Sequence, residues 1–202
     1  MIKLFRIAIV GKVPQMSLLL VKQQILETML LQDKPSKAVD IAKAMKQEFP
    51  PVMMHLLGLV RMGYVSAPEK GLYVITTKGK EALGIPQVTK EKATIILAYE
   101  PHDKSFEFYS DIGKPLHVHA HSLKDFAKKI EKVDPSSIEF HIQRGDFDAW
   151  FTTLGDQELA KKVKLLKQKN LAGEDLRNQL RQIVEQEYIS LAKLAEQQVF
   201  LD

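Results

Sequence analysis

The sequence predicts an α+β protein, predominantly helical, built as two successive domains. Three observations lead there. Apolar residues recur at helical spacing through most of the 202 positions. Short runs rich in Val, Ile, Tyr and Phe, at 64–66, 72–75 and 105–109, are bounded by Gly, Pro or Asp and read as strands. Charge is also divided unevenly: residues 1–90 hold 13 Lys/Arg against 6 Asp/Glu, a net of +7, whereas residues 91–202 hold 16 against 19, a net of −3. A basic first half points to a polyanionic partner for that half alone.

Hydrophobic content of 45% and charged content of 27% suit a globular protein with two small cores. With no cysteine, disulfides, thiolate metal sites and cysteine nucleophiles are excluded. The apolar run from Ile2 to Val10 is interrupted by Arg6 and lacks a small-residue cleavage site after it. No stretch approaches the roughly 18–20 apolar residues of a membrane span, so a cytoplasmic protein without a membrane partner is expected.

In the first half, Ser17 is expected to cap a helix over 18–31, with positions 18, 21, 25, 26, 29 and 30 at helical spacing. Ser36 is expected to cap a second helix over 37–46, facing Val39, Ile41, Ala42 and Met45 inward. Phe49-Pro50-Pro51 reads as a turn, with Pro51 suited to the first position of a third helix that runs to Met62 and stops at Gly63. Two strands follow, around Pro68-Glu69-Lys70-Gly71, and Thr76 or Thr77 caps a last helix ending before Gly84.

Within this order the set His55-Leu56, Leu59, Gly63-Tyr64-Val65, Tyr73, Thr76-Thr77, Gly79 and Leu83 resembles the winged helix-turn-helix domain of many bacterial and archaeal regulators. The resemblance spans about residues 18–84. It implies a third helix laid in the major groove of duplex DNA and a hairpin along the neighbouring backbone. Lys37, Lys43 and Lys46, with Lys70, Lys78 and Lys80 around the wing, would then meet phosphates. The positions facing base edges would be Pro50, Pro51, Val52, Met54, His55 and Gly58, where base readers normally carry Arg, Lys, Asn, Gln or Ser. Three explanations stay open: shape-led DNA binding, contact with thymine methyls, or a helix that docks protein. His55 reads as a packing or capping histidine.

Gly84 to Thr89 reads as the join, giving domains over 1–86 and 91–202. The second is expected to open with a hairpin, 93–99 with 105–109 around Pro101-His102-Asp103-Lys104, and a third strand after Asp111-Ile112-Gly113-Lys114. Helices capped by Ser122, Asp134, Asp146 and Asp156 follow, then a long terminal helix from about Gly173. Its stripe Leu176, Leu180, Ile183, Val184, Tyr188, Leu191, Leu194 and Ala195 either closes the core or makes a dimer contact. Phe106, Phe108, Gly113, Ser122-Leu123, Phe126, Phe140-His141, Arg144-Gly145-Asp146-Phe147, Trp150 and Gly155-Asp156 resemble an uncharacterised prokaryotic domain family (DUF5752-like) over about 105–185, which implies a compact helical domain and no particular activity.

Chemistry-bearing residues are few. His117, His119 and His121 alternate on a strand and share a face, a weak candidate for zinc or nickel; a solvated edge is the expected reading, with no metal and no cofactor. His141 with Asp146 offers an acid–base pair, but no nucleophile motif or phosphate-cradling loop stands beside it, so no enzyme is expected. Lys161, Lys162, Lys164, Lys167 and Lys169 read as a basic helix surface. The expectation is a homodimeric DNA-binding transcriptional regulator, with the second domain dimerising or receiving a signal. The alternative is a non-enzymatic adaptor that docks a protein partner on the winged helix.

Overall fold

The structure is a computed structural model that describes residues 14–196; the Ile2–Val10 run lies outside them. Helix α1 (Pro14–Gln32) starts ahead of Ser17, which therefore lies within it and not at its cap. Its Ile25, Leu26, Met29 and Leu30 are buried, as their spacing requires. Ser36 and Lys37 form a short strand, β1, so Ser36 is not a helix cap; its hydroxyl donates to the Lys34 carbonyl at 3.1 Å. Helix α2 (Ala38–Met45) begins without a side-chain cap, buries Ile41 and Ala42, and turns Val39 out to solvent. Phe49-Pro50-Pro51 is not a separate turn but the first turn of α3 (Phe49–Arg61), where the amides proline lacks have no helical acceptor.

Strands β2 (Val65–Glu69) and β3 (Leu72–Ile75) close a hairpin at Gly71, whose φ of +80° favours glycine. With β1 they make a three-stranded antiparallel sheet in the order β1-β3-β2. The Thr76 hydroxyl donates to the Gly63 carbonyl at 2.7 Å and accepts from the Gly79 amide at 3.1 Å, which starts α4 (Thr77–Ala82). Gly79 lies against the Tyr64 carbonyl, and a Cβ there would stand 2.7 Å from the Ile75 side chain.

The chain divides into two compact units, Met1–Gly79 and Lys80–Asp202. The second does not open with the expected hairpin. Residues Lys90–Ile96 are helix α5, capped by the Thr89 hydroxyl, which accepts from the Lys92 amide. The β-branched run favours a strand, but the cap and the burial of Ala93 and Ile96, three residues apart, win; Ile95 faces out. A single 3-10 turn (His102–Lys104) leads to β4 (Phe106–Asp111), which pairs with β5 (Lys114–Ala120), the stretch expected as a third strand.

Five helices follow. Ser122 caps α6 (Leu123–Ile130), Asp134 caps α7 (Pro135–Arg144) and Asp156 caps α9 (Gln157–Lys167), each accepting a first-turn amide. Helix α8 (Asp146–Leu154) differs: Asp146 is its first residue, and Gly145, at φ +80°, both ends α7 and begins α8. The core is aromatic around β4. Phe106 lies edge-on to Phe108 with ring centres 4.9 Å apart, and Phe126 meets Phe147 and Phe151 at 5.1 Å. Helix α10 (Gly173–Glu196) closes this unit with Leu176, Leu180, Ile183, Val184 and Leu191, all buried in it. Each such side chain contributes about 1.5–3 kcal/mol. These five therefore form the lid of their own core, whereas Tyr188, Leu194 and Ala195 toward the end of the helix are half-buried.

Lys162 departs from the expected basic surface. It is 1% exposed, with Nζ 2.9 Å from Glu158 and 2.8 Å from Glu187. Burial raises the Glu187 carboxyl above its ordinary range despite the attraction of Lys162. Asp156 is pushed up to about 8, first by burial and then by the Glu187 carboxylate. Its Oδ1 accepts the Leu159 amide, while Oδ2 has no hydrogen-bond partner among the described residues.

Candidate functional site

Two surfaces carry the residues singled out by sequence. The first is the outer side of α3. Val52 (1% exposed) and His55 (8%) belong to the core, because they share the inward face with Leu56 and Leu59; neither is available to read a base. Pro51 and Met54 are exposed. Pro50, Met54, Leu57 and Arg61 follow at helical spacing and form the solvent stripe, with Met54 62%, Phe49 44% and Leu57 40% exposed. That face offers one guanidinium and otherwise apolar atoms.

The lysines divide. Lys37, Lys43, Lys46 and Lys70 are exposed. Lys78 is exposed too, although its Nζ donates to the Met62 carbonyl at 2.9 Å and sits 4.9 Å from the centre of the Tyr64 ring. Lys80 is spoken for: its Nζ donates to both Glu158 oxygens, at 2.6 and 2.7 Å, which removes it from the phosphate-contacting set. That ion pair joins positions 78 residues apart, a separation no local pattern reveals.

The second surface is a cleft of about 330 Å³ beside β4, lined by Glu107, Tyr109, Phe140, Arg144 and Asp146 among others. At its floor the expected His141–Asp146 pair forms, with Nδ1 to Oδ2 at 2.8 Å. The other nitrogen, Nε2, accepts the Tyr109 amide at 2.8 Å. With Nε2 fixed as an acceptor, Nδ1 carries the proton and gives it to Asp146, so neither nitrogen is free for acid–base work. Burial holds His141 below its ordinary pKa, partly offset by Asp146. Asp146 also takes the Arg144 Nε at 3.1 Å, and the guanidinium lies 5.2 Å from the Phe140 ring centre. The Tyr109 hydroxyl donates to Glu107 at 2.9 Å, which raises the phenol above its usual range. The cleft presents one guanidinium, two carboxylates and aromatic walls, a set suited to holding a polar ligand.

The three histidines of 117–121 are not brought together. Phe108 stands opposite Val118 but Tyr109 opposite Pro115, so residues 116 and 117 bulge from the ladder, and His117 has φ +53°. The bulge breaks the alternation, leaving His117 largely in solvent. His119 and His121 instead meet His102 from the 3-10 turn, which the sequence did not single out as a ligand: ring centres are 4.3 Å apart for His102 and His119, 6.1 Å for His102 and His121, and 6.3 Å for His119 and His121. Tyr99 stacks on His121 at 4.8 Å.

The cleft and the histidine group both fall within a stretch that matches a family model. Residues 88–185 match DUF5752, a family of unknown function. The DUF5752 match covers just under half the chain and begins ahead of the expected 105, so that it takes in α5. No curated protein and no solved structure matches the chain. Among the described residues no helix is long and apolar enough to cross a membrane.

Proposed function

We propose that the first unit is a winged helix-turn-helix module that grips duplex DNA mainly by its phosphates, and that the second unit receives the signal governing it. The observation that carries the reading is the succession of α1, α2 and α3 before an antiparallel hairpin, with Lys37, Lys43, Lys46 and Lys70 exposed around them. Phosphate contacts give affinity and register, and an outer face of proline, methionine and leucine adds little base discrimination. Such a protein binds many sequences with similar strength.

The second reading is an adaptor. It is favoured by the same stripe, since Met54, Leu57 and Phe49 are the large apolar side chains a protein interface buries. Fluorescence anisotropy of the full chain with mixed-sequence duplexes, at several salt concentrations, separates the two. Four to five phosphate contacts predict a slope of log K against log salt of about −4, and K37E with K43E weakens binding on every duplex alike. No binding at low salt rejects the DNA reading and leaves the adaptor.

A further inference from the structure

We propose that His102, His119 and His121 form a binding site for a divalent transition metal of the zinc class, joining the 3-10 turn to the end of β5. Neither His119 nor His121 is free to choose its tautomer. The Glu100 carbonyl lies 3.0 Å from His121 Nδ1 and can only accept, so Nδ1 carries the hydrogen and Nε2 the lone pair. Ser105 lies 3.1 Å from His119 Nδ1, and its own hydroxyl hydrogen is given to the His102 carbonyl at 2.7 Å. The Ser105 oxygen must therefore accept from His119, which again leaves Nε2 with the lone pair. An imidazole oriented through Nδ1–H to an oxygen, with Nε2 bare, is the arrangement that supports metal ligation.

A second observation marks the place of the cation. His119 Nε2 faces Glu107 Oε1 at 3.6 Å, so a lone pair and a carboxylate look at each other with no hydrogen between them. A positive charge relieves that opposition. His102 completes the donor set: it is exposed, and neither ring nitrogen has a hydrogen-bond partner among the described residues. A metal bonded at about 2.0–2.1 Å to three imidazole nitrogens in tetrahedral directions sets ring centres about 5 Å apart. The observed 4.3, 6.1 and 6.3 Å bracket that value; the donor nitrogens do not yet meet at one point, so binding requires the side chains to turn, chiefly the exposed His102. Glu107 or a water supplies the fourth ligand.

The rival is a proton on this group, shared with His117, whose Nδ1 is 3.8 Å from Glu107. Titration of the untagged full chain with Zn²⁺ by calorimetry, and with Co²⁺ by visible absorption, distinguishes them. One equivalent of Zn²⁺ is expected, with the intense bands of four-coordinate cobalt. H102A is expected to weaken binding at least about 100-fold, S105A about tenfold, and H117A not at all. Circular dichroism of H102A, altered only on an exposed turn, shows that the fold is kept. Zn²⁺ also raises the unfolding temperature of the native chain and not of H102A. No saturable binding at micromolar metal overturns the proposal, as does binding that survives H102A or is lost in H117A.

Discussion

Lys162 and Glu187 meet at 2.8 Å, 25 residues apart, with both side chains almost wholly removed from water. Glu158 lies on the other side of the same ammonium at 2.9 Å and is itself held by Lys80. Removing one member of such a set leaves charge buried without compensation, which costs about 3–5 kcal/mol. K162M is expected to lose that much stability in urea unfolding, and the double variant K162M/E187L to recover most of it. If K162M unfolds at the native midpoint, the ammonium contributes nothing.

Asp156 gives stability a particular slope against pH. Its carboxyl sits at about 8 in the folded protein, against about 3.9 in an unfolded chain. Between those values the folded state holds a proton that the unfolded state has released, so stability is fully present below about pH 4 and falls as pH rises toward 8. D156N keeps an oxygen for the Leu159 amide but cannot ionise. Its stability relative to the native chain is expected to rise steadily from pH 5 to pH 8.5 in denaturant titrations. Parallel curves for the two proteins would exclude a raised Asp156.

Gly79 offers a test in the first unit that involves no charge. A methyl group there would collide with the Tyr64 carbonyl and with Ile75, one of them backbone that cannot swing aside. G79A is expected to cost about 3 kcal/mol, against the helix propensity of alanine. Thermal unfolding of the two chains checks it; an unchanged midpoint would mean that α4 packs less closely on Tyr64.

What could be read from the sequence was local, and what could not was long-range. Ser122, Asp134 and Asp156 cap helices because cap and amide are two or three residues apart, a distance that a pattern spans. Thr89 did the same for α5, yet Thr94-Ile95-Ile96 outweighed it by strand propensity, which tertiary burial of Ala93 and Ile96 overrides. Lys162 looked like one of five surface lysines because its partner Glu187 lies on another helix. The histidine group was half legible: His119 and His121 are two residues apart and a turn at His102 was expected, but the bulge that expels His117 and the approach of His102 to His119 leave no local trace. Asp146 was expected as a cap and is held by His141 and Arg144, because Gly145 already begins the helix.

Gly145 carries a consequence for motion. One residue terminates α7 and initiates α8, so no slack chain separates the two helices. Neither can fray toward the other without breaking the hydrogen bonds that the Gly145 amide donates to the His141 and Ile142 carbonyls and the one that its carbonyl accepts from the Ala149 amide. Amide hydrogens on both sides of the joint should therefore exchange with solvent in a single opening event, with one shared protection level. The wall of the cleft that bears Arg144 and Asp146 is thereby a rigid elbow, and a ligand entering there meets a shape already set.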